Sequence, residues 1–135
     1  MIYVLKLEGN KYYVGRTDNV DRRYQDHKAG IGSSWTKLHK PINIEYVRNY
    51  ENKFYEDMVV KIFMNRYGID NVRGGSYSQI NLDSIQRYML QREINNANDK
   101  CFECGGNHFI RSCPDKKQAM VNRLNCIIGI SKSLK

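Results

Sequence analysis

The first seventeen residues restrict the fold more than any other stretch. Met1-Ile2-Tyr3-Val4-Leu5 and Tyr13-Val14-Gly15-Arg16-Thr17 are short runs rich in Ile, Val and Tyr, separated by seven residues centred on Glu8-Gly9-Asn10-Lys11. Aromatic and β-branched side chains suit a pleated strand, and Gly-Asn suits a chain reversal. The segment therefore predicts a β-hairpin with Tyr3 on one strand and Tyr13 on the other. Arg23 lies eight residues past Gly15 and His27 four further on, so a helix here would carry both on one face.

That helix is expected to start at Asp18 or Asn19, with Asp21 in its first turn, and to run to Ala29 before Gly30 and Gly32 stop it. Residues 30 to 41 read as a basic loop closed by Pro41. Alternation over Ile42–Tyr50 predicts a strand with Ile42, Ile44 and Tyr46 on one face. Asn52 is placed to cap a helix from Lys53 to Tyr67, with Phe54, Met58, Val59, Ile62 and Phe63 at helical spacing and Gly68 ending it. Asp70 to Ser76 reads as turns, and Ile85, Met89, Leu90 and Ile94 mark a helix from Asp83 to Asn95. The order predicts an α+β fold: a small, mainly antiparallel three-stranded sheet flanked by helices.

No apolar run approaches the ~18–20 residues that a membrane span needs, and Lys6 and Glu8 break up the start where a signal sequence would lie. The expected setting is intracellular (nucleus, cytoplasm or a viral factory), with no membrane partner. A net charge of +8 over 135 residues would draw in a polyanion.

Three of the four cysteines crowd into thirteen residues with a histidine: Cys101, Cys104, His108 and Cys113 spell C-x2-C-x3-H-x4-C. Three thiolates and an imidazole make a closed tetrahedral set for Zn²⁺, and Gly105-Gly106 lets the backbone wrap the ion. With no open position, such a zinc is structural. Phe102 and Phe109 are candidate stacking platforms, with Arg111, Lys116 and Lys117 as phosphate partners and Cys126 as an apolar residue of the tail. The expected domains are 1–95, a linker at 96–100, a knuckle at 101–114 and a basic tail at 115–135.

Two motifs of the opening, Met1-Ile2-Tyr3 and Tyr13-Val14-Gly15, resemble those of the GIY-YIG nuclease family, with Met1 in place of the first glycine. The resemblance covers about two-thirds of the chain. It implies that Arg23 neutralises the scissile phosphate and that Glu56, thirty-three residues later, holds Mg²⁺ or Mn²⁺. It makes Tyr13, or else Tyr3, the base or water-orienting group. His27 would shuttle a proton or bind phosphate, Arg16 would face the same site, and Asn71 would stand in the last motif. Asp57 and Glu51 rank below Glu56 as the carboxylate. Residues 101–113 resemble the CCHC knuckle of nucleocapsid-type proteins, one residue shorter before the histidine. Taken singly, a strand tyrosine or a helix-face arginine is ordinary; their joint order and spacing carry the resemblance.

The expected function is a divalent-metal-dependent endonuclease acting on DNA in preference to RNA, with single-stranded or branched character, of the kind found in large DNA viruses or mobile elements. The zinc knuckle would hold the substrate. The alternatives are a non-catalytic nucleic-acid-binding protein on the same fold, and an adaptor that recruits a protein through the knuckle or tail.

Overall fold

The computed structural model describes residues 1–50, 52–101 and 103–113. Among them no helix is long and apolar enough to cross a membrane. The chain divides into two compact units, Met1–Asn81 and Leu82–Lys135.

The first unit is built on a four-stranded sheet in the order β3-β1-β2-β4. Strand β1 (Ile2–Leu7) pairs antiparallel with β2 (Lys11–Arg16) and, on its other edge, with β3 (Pro41–Arg48). It is the central strand, with Ile2, Tyr3, Val4, Leu5 and Leu7 all buried. Burial on both faces explains why it reads as an almost unbroken apolar run. The turn into β2 places Gly9 and Asn10 at φ +78° and +57°, a left-handed reversal that these two residue types tolerate.

Period-two alternation splits the sheet's side chains between two faces. On one face Tyr3, Leu5 and Leu7 pack with Val20 and Trp35, joined by Tyr13, Tyr24 and Ile44. Helices α1 (Val20–Lys28) and α2 (Ser34–Leu38) supply Val20 and Trp35 to this layer. On the other face Tyr12 stacks on Tyr67 at 4.2 Å and meets Phe63, which also meets Tyr46. Tyr67 and Phe63 come from α3 (Tyr55–Tyr67), whose Val59, Val60 and Met64 are buried.

Several expectations change. The sheet has a fourth strand, β4 (Val72–Gly74), parallel to β2, in the segment expected to be turns. A buried arginine and a glycine disguise it. Gly74 is needed there because a Cβ would come 2.0 Å from the Val14 carbonyl. The basic loop contains α2, begun by a capping box between Ser33 and Thr36. Strand β3 carries register irregularities that break its alternation: Ile44 joins the Tyr3 face, Tyr46 the Phe63 face, and Ile42 is exposed. Helix α3 starts at Tyr55, with Asn52 Oδ1 accepting from Phe54 N–H, and Phe54, Met58 and Ile62 lie exposed.

In the second unit, Asp83 caps α4 (Ser84–Ala97), which runs two residues past its expected end into the polar stretch read as a linker. The division of the chain falls at Asn81/Leu82, so α4 belongs with the cysteine-rich segment and not with the sheet. The reason is local: Tyr88 donates its hydroxyl hydrogen to the buried carboxylate of Glu103, and Arg92 lies 3.9 Å from it.

Arg73 ties the far edge of the sheet together. It is 3% exposed and donates to the carbonyls of Ile69, Val72, Gln79 and Ile80 at 2.6–3.2 Å. Its guanidinium lies 4.9 Å from the centroid of the Trp35 ring, whose indole N–H donates to the Tyr12 carbonyl. Arg73→Met removes those donors and leaves the carbonyls short of partners. Unit stability should fall by about 3 kcal/mol or more, read as a lower urea midpoint in the fluorescence of Trp35, the chain's single tryptophan.

Candidate active site and metal centre

Three buried hydrogen-bonding groups form a line through the first core. The Tyr3 hydroxyl lies 2.7 Å from His27 Nε2, and His27 Nδ1 lies 2.7 Å from Thr36 Oγ1. The roles follow from the Thr36 end of the line. The Thr36 hydroxyl gives its hydrogen to the Ser33 carbonyl, so its oxygen accepts from the ring and Nε2 is left to accept the Tyr3 O–H. Nδ1 then carries the ring hydrogen and donates to Thr36, whose hydroxyl donates to the Ser33 carbonyl at 3.2 Å. The line joins β1, α1 and α2.

Two glycines make room for it. A Cβ on Gly15 would come 2.4 Å from the Tyr3 ring, and one on Gly32 would come 2.0 Å from His27 Nδ1. Gly15 is the glycine of the second motif, opposite Tyr3 across the β1–β2 ladder. Its smallness lets the Tyr3 ring lie over the strand.

Around this line stand the other candidates. The rings of Tyr13 and His27 are 4.9 Å apart, and Tyr13 is less buried than Tyr3. Arg23 is partly exposed and lies 3.7 Å from Asp26. Burial raises the Tyr3 and Tyr13 pKa values; the Arg23 charge lowers both and the Glu56 charge raises both. Burial also raises the Glu56 pKa, opposed by Arg16 and reinforced by Asp57. Tyr3, Tyr13, Arg16, Arg23, His27 and Glu56 thus share one electrostatic neighbourhood.

The neighbouring carboxylate is otherwise engaged. Asp57 accepts from the Ser76 N–H at 2.8 Å and the Ser76 hydroxyl at 2.6 Å, bracing the turn after β4. Glu51 and Phe102 lie outside the described residues. Asn71 does not join the cluster. It sits where β4 begins beside Tyr12, accepts from Lys11 Nζ and donates to the Tyr67 carbonyl. The two ends of its amide tie β2 to the end of α3. Sequence reading passed over Ser33 and Thr36; the signal was the Ser-x-x-Thr cap inside the basic loop.

In the second unit, the ligand atoms of Cys101, Cys104, His108 and Cys113 all lie within 4.8 Å of one another. Cys104 Sγ is 3.4 Å from His108 Nε2 and 3.6 Å from Cys113 Sγ. Sulfurs on a tetrahedral ion with ~2.3 Å bonds stand about 3.8 Å apart, so this donor set fits a zinc-sized ion. The Gly106 carbonyl accepts from Cys101 N–H and the Cys101 carbonyl from Gly105 N–H, closing the knuckle turn with Gly105 at φ +76°. Burial opposes the Cys101 thiolate, but the backbone N–H groups of Cys104 and Glu103 and the adjacent thiols together hold its pKa down at about 7. Phe109 is 62% exposed and Arg111 is exposed, while Glu103 anchors the knuckle to α4.

Residues 1–56 match the sequence signature of the GIY-YIG catalytic domain. A UPF0213 protein of Halobacterium salinarum is 31% identical over 52 residues, 38% of this chain and 68% of its own length. The chain belongs to the UPF0213 family and carries a GIY-YIG domain at residues 1–56. UPF0213 proteins of Listeria welshimeri and Staphylococcus haemolyticus are 39% and 35% identical over 51 and 52 residues, again 38% of this chain. The chain spans 57% and 63% of the length of these two relatives. No solved structure matches. The GIY-YIG match ends at Glu56, so the knuckle lies outside it.

Burial, and next the Arg23 charge, push the His27 pKa down from 6.5 to about 4, against a smaller upward pull from Asp26. His27 is therefore neutral at pH 7. The unfolded chain binds its proton at the higher pKa, so between pH 6.5 and 4 the unfolded state holds more protons. Stability should accordingly fall as pH drops through that window, by about 3 kcal/mol from this group. NMR titration of His27 and urea unfolding at pH 7 and pH 4.5 check it; a ring that titrates near 6.5 would overturn it.

Proposed function

We propose that this chain is a divalent-metal-dependent endonuclease that hydrolyses phosphodiester bonds in nucleic acid, DNA in preference to RNA. The observation that carries the reading is the convergence of two tyrosines, Arg23, His27 and Glu56 at one end of the sheet. A hydrolytic site for a phosphodiester needs a cation for the charge that builds on phosphate, a carboxylate for a hard metal ion, and a group that orients water.

Arg23 supplies the first. Its planar fork matches phosphate oxygens, it stays protonated, and it lies partly exposed beside the Tyr3 hydroxyl. Glu56, at the N-terminus of α3, supplies the second; Asp57 is held by Ser76. Mg²⁺ or Mn²⁺ on Glu56 would supply Lewis-acid chemistry. Tyr13 faces the substrate and orients the attacking water, while the more deeply buried Tyr3 holds Arg23 and His27 in place. His27, neutral and fully buried, accepts the Tyr3 hydrogen at Nε2 and is held by Thr36 at Nδ1, so it positions Tyr3 within the site.

The knuckle is the second half of the proposal. Zn²⁺ on Cys101, Cys104, His108 and Cys113 fixes the turn that presents Phe109 and Arg111, and these hold unpaired nucleotides of a single-stranded or branched substrate. Lys116 and Lys117 lie outside the described residues, as does Cys126. A protein partner for the knuckle is the second reading, favoured by the exposed Phe109 alone.

Purified chain should cut at least one member of a panel of branched, single-stranded and duplex DNA and RNA in Mg²⁺ or Mn²⁺. Arg23→Ala and Glu56→Gln should each lower the rate by ~10²–10³ while substrate binding changes little. A wild type that cuts nothing sinks the reading and leaves a binding protein.

Elemental analysis should find close to one zinc per chain. Cys104→Ser should release it and unfold the knuckle, because so small a segment depends on its metal to fold. The sheet unit has its own core, so the Trp35 fluorescence of that variant should match wild type; a collapsed Trp35 signal would mean that the units do not fold independently.

A further inference from the structure

We infer that Arg16, Arg48 and Tyr50 form a nucleotide subsite beside Glu56, taking an unpaired nucleotide that flanks the scissile phosphate. The inference rests on the nuclease reading and adds to it a place for one strand of the substrate on the sheet unit itself.

The register puts the two arginines together. Ile2 faces Arg16 across one edge of β1 and Arg48 across the other. Alternation sends both side chains to the same face of the sheet, and two strand spacings separate their backbones by about 10 Å. Both arginines are exposed. Arg16 is also the cation whose charge acts on the Glu56 carboxylate.

An aromatic ring stands among these cations. Tyr50, just beyond β3, is 42% exposed, and the Arg16 guanidinium lies 5.9 Å from its ring centroid. Arg48 lies 5.6 Å from the Tyr46 ring, whose hydroxyl is 3.1 Å from that of Tyr55, the first residue of α3. The patch therefore runs from the end of β3 to the start of the helix that carries Glu56. Phe54, two residues before Glu56, is 72% exposed with Lys53 Nζ 5.7 Å from its ring centroid.

Cations beside open aromatic faces are the equipment of a single-strand platform. A duplex keeps its bases stacked on one another and offers a tyrosine ring only edges and backbone. An unpaired base has a free face, and the flanking guanidinium groups meet its phosphates. The charge suits a polyanion rather than a protein surface of mixed sign.

The test compares full-length wild type, Tyr50→Ala, Tyr50→Phe and Arg48→Gln. Binding is measured without added Mg²⁺, which leaves the cysteine-bound metal in place, to a 2-aminopurine-labelled single strand and to the same sequence as duplex. Each variant is also made on a Phe109→Ala background so that the knuckle does not mask a loss. Tyr50→Ala should weaken single-strand binding about 5- to 100-fold and leave duplex binding within about twofold. Tyr50→Phe should retain the affinity. Arg48→Gln should lower the slope of log K against log salt by about 0.7.

Unchanged single-strand binding by Tyr50→Ala, in a protein whose wild type cuts nucleic acid, overturns the subsite and leaves the nuclease reading standing. Equal weakening toward single strand and duplex, not restored by Tyr50→Phe, also overturns it. If wild type cuts nothing but Tyr50→Ala still loses single strands selectively, the nuclease reading falls, and with it the scissile phosphate, while Arg16, Arg48 and Tyr50 remain a single-strand binding patch.

Discussion

The chain of hydrogen bonds from Tyr3 through His27 to Thr36 is the interaction on which the sheet unit turns. It crosses from the central strand to both helices of one layer, and each of its links is buried. A buried polar chain is stable only if every member is satisfied, since any broken link strands a donor or acceptor away from water. That demand reaches into the surrounding backbone. Gly15 and Gly32 must be glycine because the rings occupy the space a Cβ would take, and Ser33 must cap α2 so that Thr36 meets the imidazole. The Arg23 charge acts on the Tyr3 phenol from the front of the site.

Consecutive carboxylates at the start of α3 show how position decides chemistry. Glu56 and Asp57 share the favourable end of the helix dipole. Asp57 spends its two oxygens on Ser76, and Gly75 has no Cβ that would block them: one there would come 2.1 Å from Asp57 Oδ1. Glu56 keeps its oxygens and is partly desolvated, which raises its pKa. A carboxylate that has already lost part of its water is well suited to a hard cation, since less hydration must be surrendered on binding. The β4 turn thus separates a bracing acid from a candidate catalytic one.

The hairpin, α1 with its cap, the helix bearing Glu56 and the metal-ligand quartet were all legible, because each is written in local signals: alternation, an Asn before a polar helix, an i, i+4 pair, a cysteine spacing. What was not legible depends on contacts distant in sequence. Strand β4 is three residues held by pairing with β2 and by a buried arginine, and its Val-Arg-Gly looks like a turn until Tyr12 and Tyr13 lie beside it. The inward and outward faces of β3 cannot be read from alternation, since the register irregularities against β1 reset it. Asn71 shows the reverse case. Its spacing from Glu56 matches a family motif, but Lys11 and the Tyr67 carbonyl occupy its amide. Thr36 went unnoticed because a hydroxyl in a basic loop has no signature until His27 arrives from another helix.

The electrostatics of the site restrict which tyrosine can act and how. Burial holds both phenols in their protonated form, and the negative Glu56 adds to that hold on each. A free phenolate is therefore not the resting state of either ring. Tyr3 is further committed, since its hydrogen is given to His27 and the Arg23 charge acts on its oxygen. Tyr13 has no tie of that kind to the histidine and is less buried than Tyr3, with Ser33 as its side-chain neighbour. The negative Glu56 works against ionisation of Tyr13. Arg23 pulls the other way, and burial is the larger effect, so the phenol is held protonated by its surroundings rather than by any one charge.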